Sequence, residues 1–489
     1  MNPACLEQMR EAQRRWARVA IRERLRVIGG LRARMAREPE AVARLVPREL
    51  PGALHRTEAE TLVAEVLPLA AACRFLEREA ERMLKPQRLG WRGRPLWMMG
   101  VTAEMERAPL GLVMIVAAGN YPLLLAGVQA LQALVAGNAV VWKPAPGTEA
   151  VAARIAAWLR ECGLPDGLLE VMGGDAAAVQ QAIRQGVDHL VLTGSAETGQ
   201  AILRQTAETL TPTTMELSGW DAVFVLPGAE LERVAQAITF GMRFNGSFTC
   251  MAPRRLFLIG FAATEADWLE AQLRSRLARL EAVSLSQSAR SKLAEMVADA
   301  RAAGAEVALD GSAREDGRVS VTLILQARPE MWAMRGEVFA PVLSGMRVSL
   351  AEQAVAAHGR CEYGLTAAVF GPEREAKRLA RDLRVGHLVV NDLIAPTADA
   401  RVSFGGVGRS GFGVTRGREG LLGMTRARVI QTQRGRSLRG YEPVGEEHVG
   451  LFAGMIRAVY GRGAAARWRG AKQMGQAAVE LRKKEQARR

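Results

Sequence analysis

The chain has 489 residues, 49% of them apolar and 24% charged, which is ordinary for a globular protein of two or three domains. Its net charge of +15 lies mainly at the ends, because residues 1–40 carry +5 and residues 434–489 carry +8, so we expect no nucleic-acid partner. Five cysteines without a CxxC pair predict reduced thiols in a cytoplasmic protein, and we expect no metal site.

The first forty residues predict a helix. They contain ten Arg, as an organelle transit peptide would, but also five Glu, which such peptides avoid. The helical spacing of their apolar residues favours a structural amphipathic helix instead. The spaced residues are Met9, Ala12, Trp16, Val19, Ile21, Leu25, Ile28, Leu31 and Met35.

Residues 111–142 form a run without charge that is long enough to cross a bilayer. The turn formers Asn120 and Pro122 interrupt this run, which therefore favours a βαβ unit over a membrane span. The predicted elements are a strand at 111–117, a helix at 123–135 and a strand at 139–142.

The alternation of helices and apolar strands continues to about residue 210. Strands that are apolar throughout are typical of parallel sheets covered on both faces, so we predict an open parallel α/β sheet. Ligands bind such sheets where loops at the carboxyl ends of strands meet helix N-termini. Three such loops are 117–122, 142–147 and 193–199.

A series of motifs extends this pattern from Arg107 to Gly413. In order they are PLGLVMIVAAGNYP, AGNAVVWKP, LTGSAETG, MELSG, FNGSFTCMAPRR, EVFAPVL, VVND and SFGGVGRSGFG. Together they resemble the aldehyde dehydrogenase superfamily, and TCMAP and FGGVGRSGFG look closest to its class-3-like branch. The resemblance implies the aldehyde dehydrogenase fold and oxidation of a medium- or long-chain or aromatic aldehyde to the acid.

The resemblance assigns three catalytic roles. Cys250 aligns with the nucleophile, which forms a thiohemiacetal and then a thioester. Asn120 aligns with the residue whose side-chain amide holds the oxyanion. Glu216 aligns with the base that activates the deacylating water.

The resemblance also implies a nicotinamide cofactor, NAD or NADP. The residues expected to bind it are Lys143, Gly194, Ser195, Gly199, Glu337 and Phe339.

Some positions depart from the family pattern. Pro146 stands where many members place a ribose-chelating Glu, and without that carboxylate a 2′-phosphate is not repelled, so NADP is plausible. Ser218, Trp220 and Phe248 are also unusual, and we expect the two large apolar side chains to reshape the substrate pocket.

The resemblance divides the chain into four parts. We expect a cofactor domain at 1–218 with a bridging, oligomerising hairpin at 90–106, a catalytic domain at 219–410, and a C-terminal return at 411–433. A homodimer at least is implied. Residues 434–489 predict a basic amphipathic or disordered tail, which could contact an anionic membrane surface or pack against a subunit.

Two alternatives to an aldehyde-oxidising enzyme stay open. One is a reductive or coenzyme-A-acylating enzyme that uses the same thioester, against which Glu216 argues, since such relatives generally lack it. The other is a catalytically silent relative kept as a membrane or scaffold protein, against which the set of Asn120, Glu216, Cys250 and Glu337 argues.

Overall fold

The structure is a computed structural model that describes residues 3–50, 54–95, 98, 100–173, 175–311, 313–314, 316–434 and 443–487. The predicted hairpin and tail thus lie partly outside the described residues, at 96, 97, 99, 435–442, 488 and 489. The chain forms two compact units. One contains residues up to Gln87 and Met105–Val429, and the other contains Arg88–Glu104 and the chain from Ile430 onward.

The N-terminal segment is helical, but it forms two helices where one was predicted. Trp16 and Ile21 are five residues apart, a spacing that does not continue one apolar helix face, and the helix breaks between them. The buried side of both helices carries the predicted apolar residues. The elements up to the first large sheet are α1 (Pro3–Trp16), α2 (Ile21–Arg37), α3 (Pro39–Leu45), β1 (Glu49–Leu50), β2 (Leu54–His55), α4 (Glu58–Thr61), a π-helical turn (Leu62–Val66), α5 (Leu67–Leu84), β3 (Gln87–Leu89) and β4 (Val101–Pro109).

The first large sheet confirms the predicted parallel α/β architecture. Its strand order is β21-β9-β8-β5-β6-β7, parallel except for β21, and its central strands are buried on both faces. Its elements, apart from β21, are β5 (Leu112–Val116), α6 (Leu124–Ala136), β6 (Ala139–Lys143), α7 (Glu149–Glu161), β7 (Leu169–Val171), α8 (Ala176–Arg184), β8 (His189–Gly194), α9 (Ala196–Thr209) and β9 (Thr213–Leu217).

The second large sheet has the order β13-β15-β16-β11-β10-β18-β19, parallel except for β13. The elements of this region are β10 (Asp221–Val225), α10 (Leu231–Arg243), a 3₁₀ turn (Phe244–Ser247), β11 (Pro253–Ile259), α11 (Ala263–Leu277), β12 (Val283–Ser284), α12 (Gln287–Ala302), β13 (Glu306–Leu309), β14 (Arg318–Val319), β15 (Thr322–Leu325), α13 (Trp332–Arg335), β16 (Val342–Val348), α14 (Ala351–Gly359), β17 (Tyr363–Gly364), β18 (Thr366–Phe370), α15 (Glu373–Ala380), β19 (His387–Val390) and a 3₁₀ turn (Ala395–Ala398).

After the second sheet the chain returns to the first, where β21 pairs antiparallel with β9 beside Glu216. A further strand, β22, forms a three-stranded sheet in the order β22-β4-β3. The elements here are β20 (Val407–Gly408), β21 (Gly411–Phe412), α16 (Gly417–Gly423) and β22 (Thr425–Gln433). The predicted domain bounds at 218 and 410 stay a prediction.

The C-terminal segment is a helical hairpin, although its glycines have low helix propensity. Any side chain at Gly454 or Gly470 would clash with the backbone of the facing helix, so these glycines allow the two helices to pack closely. Its elements are a 3₁₀ turn (Glu446–His448), α17 (Val449–Tyr460) and α18 (Ala464–Ala487). No helix in the described part of the chain has both the length and the hydrophobicity that spanning a bilayer requires.

Candidate active site

A cleft of about 410 Å³ lies at the carboxyl ends of β5, β6 and β8, where parallel-sheet proteins bind ligands. It brings together residues that are distant in sequence, from the three predicted loops and from the nucleophile motif. The predicted residues that line it are Asn120, Lys143, Gly194, Ser195, Glu216, Cys250, Glu337 and Phe339.

Gly199 is the one predicted site residue that is not part of this lining. It lies in the first turns of α9, where a Cβ atom would come within 2.9 Å of the Leu217 side chain. Its small size therefore allows α9 to pack against β9. This packing supports the strand that carries Glu216.

The nucleophile loop is shaped by three consecutive left-handed residues. Asn245, Gly246 and Ser247 have φ values of 53°, 57° and 68°, a conformation that Asn and Gly tolerate better than most residues. The buried guanidinium of Arg254 holds the turn, donating to the hydroxyl of Ser247 at 2.8 Å and to its carbonyl at 2.6 Å. Arg254, four residues after Cys250, therefore stabilises the turn that precedes Cys250.

Asn120 is tethered to the same loop. Its Nδ2 donates to the carbonyl of Phe248 at 3.0 Å, and Asn245 Nδ2 donates to that carbonyl at the same distance. An amide nitrogen carries two hydrogens, so the bond to Phe248 leaves Asn120 one further N–H to donate. Next to it, the hydroxyl groups of Tyr121 and Thr249 lie 2.6 Å apart. The predicted oxyanion residue is thus held beside the residues that lead into Cys250.

Arg56 links these two loops, and the sequence analysis did not identify it. Its Nε donates to Asn245 Oδ1 at 3.0 Å and its Nη2 to the carbonyl of Asn120 at 2.6 Å. It also forms an ion pair with Glu65, and both side chains are almost completely buried. Arg56 therefore joins the Asn120 loop to the turn before Cys250.

Glu65 completes this network. It lies in the π-helical turn, and its Oε2 accepts from the backbone N–H groups of Leu123 and Leu124 at 2.7 and 2.9 Å. Those N–H groups are at the start of α6, where an anionic side chain is stabilised by the helix dipole and by unpaired donors. The carboxylate thus fixes the chain immediately after Asn120 and Tyr121. Extra turns of π-helix often occur at functional sites.

The surroundings of Cys250 raise the pKa of its thiol. Burial raises the pKa of Cys250 most, and the carboxylates of Glu216 and Asp221 raise it further, while Arg416 opposes them. Burial likewise raises the pKa of Glu216, against the charge of Arg416 and the hydrogen bond from Thr415. A half-buried thiol and a buried carboxyl group, both with raised pKa values, therefore share the cleft.

Glu216 has one oxygen occupied and one free. Thr415 Oγ1 donates to Oε2 at 2.9 Å, whereas Oε1 has no hydrogen-bond partner among the described residues. Arg416 follows Thr415, and its guanidinium carbon lies 4.4 Å from the centre of the Phe404 ring while Nη1 donates to the carbonyl of Thr397 at 3.0 Å. The free oxygen is available to a water molecule. Neither Thr415 nor Arg416 was predicted.

Trp220 and Phe248, the two unusual large apolar residues, lie outside the lining of the cleft. Trp220 is fully buried and donates from Nε1 to the carbonyl of Ala333 at 2.9 Å, and neither Trp220 nor Phe248 lines the cleft. Phe248 instead packs edge-to-face against Phe339, with ring centres 5.5 Å apart. The expectation that these two side chains reshape the substrate pocket stays a prediction, and Phe248 contacts the cleft lining through Phe339.

The remaining lining residues fit a dinucleotide. Lys143 ends β6, and burial lowers its pKa, since removal from water disfavours the ammonium ion. Ser195 caps α9, whose N-terminus faces the cleft and suits a phosphate group. Burial also raises the pKa of Glu337, partly offset by a hydrogen bond from Ser218. Cationic, helix-terminal and carboxylate groups thus occur in one cleft, as a pyrophosphate and two riboses require.

Comparison with known proteins identifies the family. The family model described as "Aldehyde dehydrogenase family" matches residues 3–430. A 4,4'-diapolycopene aldehyde oxidase from Methylomonas sp is 29% identical over 477 residues, covering 94% of this chain and 88% of that relative. A relative from Mycobacterium ulcerans, named provisionally as an NADP(+) succinate-semialdehyde dehydrogenase, is 31% identical over 445 residues, covering 88% of this chain and 84% of its own.

A solved structure agrees with these matches. The NAD-dependent aldehyde dehydrogenase from Sinorhizobium meliloti superposes with a TM-score of 0.81 at 25% identity, covering 90% of this chain and 88% of that one. The fold prediction is therefore confirmed, and relatives of both cofactor types are found. From the family match, the relatives and the residues that line the cleft, we conclude that the chain belongs to the aldehyde dehydrogenase family and is an NAD(P)-dependent enzyme of it.

Proposed function

We propose that the chain oxidises an aldehyde to its carboxylic acid through a thioester on Cys250, which Glu216-activated water hydrolyses. The observation that carries the proposal is that Asn120, Glu216 and Cys250 line one cleft with the residues assigned to the cofactor. The family pattern supplies the roles of these residues. Asn120 and Cys250, the most distant of the three catalytic residues in the chain, are 130 residues apart, yet both line the cleft.

Acylation begins with loss of the Cys250 proton. Because its surroundings raise the pKa of this thiol, Cys250 must release its proton to solvent as the sulfur attacks the carbonyl carbon, and Glu216 stays deprotonated for the later hydrolysis. The free N–H of Asn120 then donates to the oxygen that becomes negative. One such donor is worth on the order of 3 kcal/mol of transition-state stabilisation.

The chemistry that a bound nicotinamide cofactor would supply is a site for the hydride lost from the substrate carbon. Lys143, Ser195 and Glu337 would hold its ribose and phosphate groups, and Phe339, supported by Phe248, would pack near its ring. Hydrolysis follows when Glu216 Oε1, the oxygen without a partner in the described part of the chain, takes a proton from the attacking water.

The central experiment is a screen for NAD(P)H formation over aliphatic chain lengths and aromatic aldehydes. We propose medium- or long-chain or aromatic substrates and the class-3-like branch, which TCMAP and FGGVGRSGFG favour. Cys250→Ser should abolish turnover, whereas Cys162→Ser, at a cysteine outside the cleft, should not. Undiminished activity of Cys250→Ser would overturn the mechanism.

We propose that the ribose loop at residues 142–147 accepts NADP as well as NAD. Pro146 is exposed and brings no carboxylate to the end of β6, and Lys143 has no ion-pair partner in the described part of the chain. Steady-state comparison of the two cofactors tests this. A preference of at least about tenfold in kcat/KM for NAD, which corresponds to 1.4 kcal/mol, contradicts it.

We also propose a homodimer and the four-part domain division stated above. The exposed apolar residues Val429 and Ile430 on β22 support an interface, since such residues are usually covered. Sedimentation equilibrium would show a mass of twice 52.9 kDa. A monomer at working concentration argues against the dimer.

For the C-terminal hairpin we propose peripheral contact with an anionic lipid surface. Val449, Phe452, Ile456 and Tyr460 share the exposed side of α17, away from the glycine face that packs on α18. Residues 449–487 carry eight Lys or Arg and two Glu, which complements an anionic surface. A chain ending at Gln433 should no longer pellet with anionic liposomes. Equal pelleting of both forms excludes the hairpin as the contact.

A further inference from the structure

Glu337 and Phe339, the cleft residues assigned to the nicotinamide end of the cofactor, lie in a short segment between α13 and β16. This segment, residues 336–341, belongs to neither a helix nor a strand, and we name it the Glu337 segment. Its position therefore depends on how its two ends are held. At its far end, Arg254 Nη1 donates to the carbonyl of Ala340 at 2.6 Å. The same guanidinium bonds the turn before the nucleophile, so this end is tied to the nucleophile loop.

The near end of the Glu337 segment is α13, a helix of four residues. So short a helix is not stable without tertiary contacts, and the carbonyls at its C-terminus have no partners within it. Three consecutive carbonyls of α13 instead accept from side chains that are buried in the core. The bonds are Trp220 Nε1 to Ala333 at 2.9 Å, Arg255 Nη1 to Met334 at 3.5 Å and Cys361 Sγ to Arg335 at 3.4 Å. These side chains therefore fix the helix from which the Glu337 segment starts.

Trp220 makes the shortest of these bonds. Its side chain is fully buried, so water cannot take its place at the carbonyl of Ala333. Its own carbonyl accepts from Arg255 Nε at 2.9 Å, which fixes the backbone that carries the indole. The guanidinium carbon of Arg254 lies 6.0 Å from the centre of the Trp220 ring. Trp220 is therefore held at its backbone and at its side chain, and α13 is held by Trp220.

Ser218 reaches the Glu337 segment from the same stretch of chain. It lines the cleft together with Glu337. Burial raises the pKa of Glu337, and a hydrogen bond from the Ser218 hydroxyl group opposes that rise. Ser218 and Trp220 are both departures from the family pattern, and they contact Glu337 and the helix before it. The contacts of these two departures therefore point to the cofactor rather than to the aldehyde.

We propose that Trp220 is a positioning residue for the cofactor, which together with Cys361 holds α13 so that Glu337 and Phe339 meet the nicotinamide ribose and ring. This inference rests on the proposed function, which assigns those two residues to the cofactor. It adds that an indole N–H outside the cleft sets their position. Without that N–H the carbonyl of Ala333 is buried and unpaired, so the Glu337 segment shifts.

The expected loss of affinity is confined to one end of the dinucleotide. Lys143 on β6 and Ser195 at the start of α9 belong to the first large sheet and its helices, whereas α13 belongs to the region of the second. Substitution of Trp220 therefore leaves these two residues in place. A ligand that contains only the adenosine half of the cofactor should bind independently of Trp220.

The first test measures binding to the full chain by calorimetry, without turnover. The ligands are matched pairs, NADH with ADP and NADPH with adenosine 2′,5′-bisphosphate, in which the second member lacks the nicotinamide half. We expect Trp220→Phe to raise the Kd of the dinucleotide about tenfold and to leave the Kd of its fragment within about twofold. A fragment weakened as much as its dinucleotide, or a dinucleotide that is not weakened, overturns the inference.

The matched control is Trp16→Phe. The Trp16 side chain is also buried, and its Nε1 donates to the carbonyl of Leu134 at 2.8 Å, but Trp16 lies on α1 and does not line the cleft. The substitution therefore removes the same kind of bond at similar burial, and it should change the Kd of neither ligand. If Trp16→Phe weakens the dinucleotide as Trp220→Phe does, the effect is general destabilisation and the inference is wrong.

A second pair of variants decides the question if Trp220→Phe does not fold. Cys361→Ala removes the donor to the carbonyl of Arg335, and Cys361→Ser keeps a donor of similar size. We expect Cys361→Ala to raise the Kd of the dinucleotide about threefold without changing that of the fragment, and Cys361→Ser to restore it. In that case, equal affinity of the Cys361→Ala and wild-type chains overturns the inference.

Steady-state kinetics distinguish this role from a role of Trp220 in the substrate pocket. We expect Trp220→Phe to raise KM for the cofactor about tenfold and to leave KM for the aldehyde within about twofold. The reverse result assigns Trp220 to the pocket and overturns the inference.

The measurements also separate failure of the inference from failure of the proposed function. If aldehydes are oxidised through Cys250 but Trp220→Phe spares the dinucleotide, only the inference fails. If the wild type binds a dinucleotide but oxidises no aldehyde, the proposed function fails, and calorimetry still decides the role of Trp220. If it binds neither dinucleotide, the cofactor assignment fails and the inference fails with it.

Discussion

Two buried polar groups flank the nucleophile, and they differ in how completely their hydrogen bonds are made. On one side Arg56 bonds Glu65, Asn245 and the Asn120 carbonyl, and no polar atom of Arg56 or Glu65 is left unpaired in the described part of the chain. On the other side, Glu216 and Arg416 each keep one buried atom without a partner there. A completed network holds a loop still, whereas open atoms are available to water and to reacting groups.

Breaking the completed network should have the largest effect. Arg56→Met leaves the Glu65 carboxylate buried without its cation, so we expect the free energy of unfolding to fall by about 3–5 kcal/mol. kcat/KM should fall as well, because the Asn120 amide loses its support. Urea unfolding at pH 7 and steady-state kinetics measure the two effects. Arg56→Lys should recover part of the stability but less of kcat/KM, since an ammonium group cannot reproduce the planar fork. If Arg56→Met were as stable as the wild type, the Arg56–Glu65 network would not be what holds the loops.

Substitutions on the side of Glu216 and Arg416 should change the catalytic rate more than the free energy of unfolding. Glu216→Gln keeps the shape of the side chain and removes the base, so kcat should fall by on the order of 10² to 10⁴. Intact-protein mass spectrometry during turnover should then find Cys250 acylated. The matched control is Glu362→Gln, at an exposed glutamate outside the cleft, which should behave as wild type. A Glu216→Gln protein with wild-type kcat would exclude Glu216 as the base.

The pH dependence of deacylation should report the Arg416 charge. Burial raises the pKa of Glu216, and the base must be deprotonated to act, so kcat should rise with pH through that raised pKa. Arg416 opposes the rise in pKa, so Arg416→Met should move the ascending limb to higher pH. The rate of acyl-enzyme hydrolysis, followed after a single turnover at each pH, measures the shift. If the ascending limb stays in place or moves to lower pH, the charge of Arg416 does not lower the pKa of Glu216.

Thr415→Val should move the ascending limb in the same direction as Arg416→Met does, and it should have the smallest effect of these variants. It removes the hydrogen bond to Glu216 Oε2, which lowers the pKa of Glu216 less than the charge of Arg416 does. We therefore expect the ascending limb to move to higher pH by less than in Arg416→Met. The same single-turnover profile measures it, with Thr415→Ser as the variant that keeps the hydroxyl group. A larger shift than in Arg416→Met would reverse the assigned order of the two contributions.

The sequence predicted the parts of this site that depend on local pattern. The strand-turn-helix alternation placed Asn120, Lys143 and Ser195 at strand ends, and the family motifs placed Cys250 and Glu216 in the same cleft. What it missed depends on contacts over long distances. Arg56 lies 189 residues from Asn245, in a polar segment without periodicity, and nothing local distinguishes a buried arginine from an exposed one there.

Two further features of the molecule depend on tertiary packing, which local sequence does not show. Trp220 and Phe248 were expected to reshape the substrate pocket, but the sequence does not show that Trp220 bonds the Ala333 carbonyl or that Phe248 packs on Phe339. The glycines of the C-terminal segment have low helix propensity. Tertiary packing overrides that propensity, because Gly454 and Gly470 are where the facing helix comes closest.

The Asn245-Gly246 turn also determines how the enzyme ages. Asn-Gly is a dipeptide prone to deamidation, because the glycine nitrogen meets little obstruction when it attacks the asparagine side chain. In the folded chain the Asn245 amide is fixed at both ends, by Arg56 at its oxygen and by the Phe248 carbonyl at its nitrogen. Unfolding frees the amide, and a deamidated chain that refolds brings a new carboxylate against two backbone carbonyls beside Cys250. We therefore expect deamidation at Asn245, which unfolding promotes, to lower the activity that the refolded chain recovers.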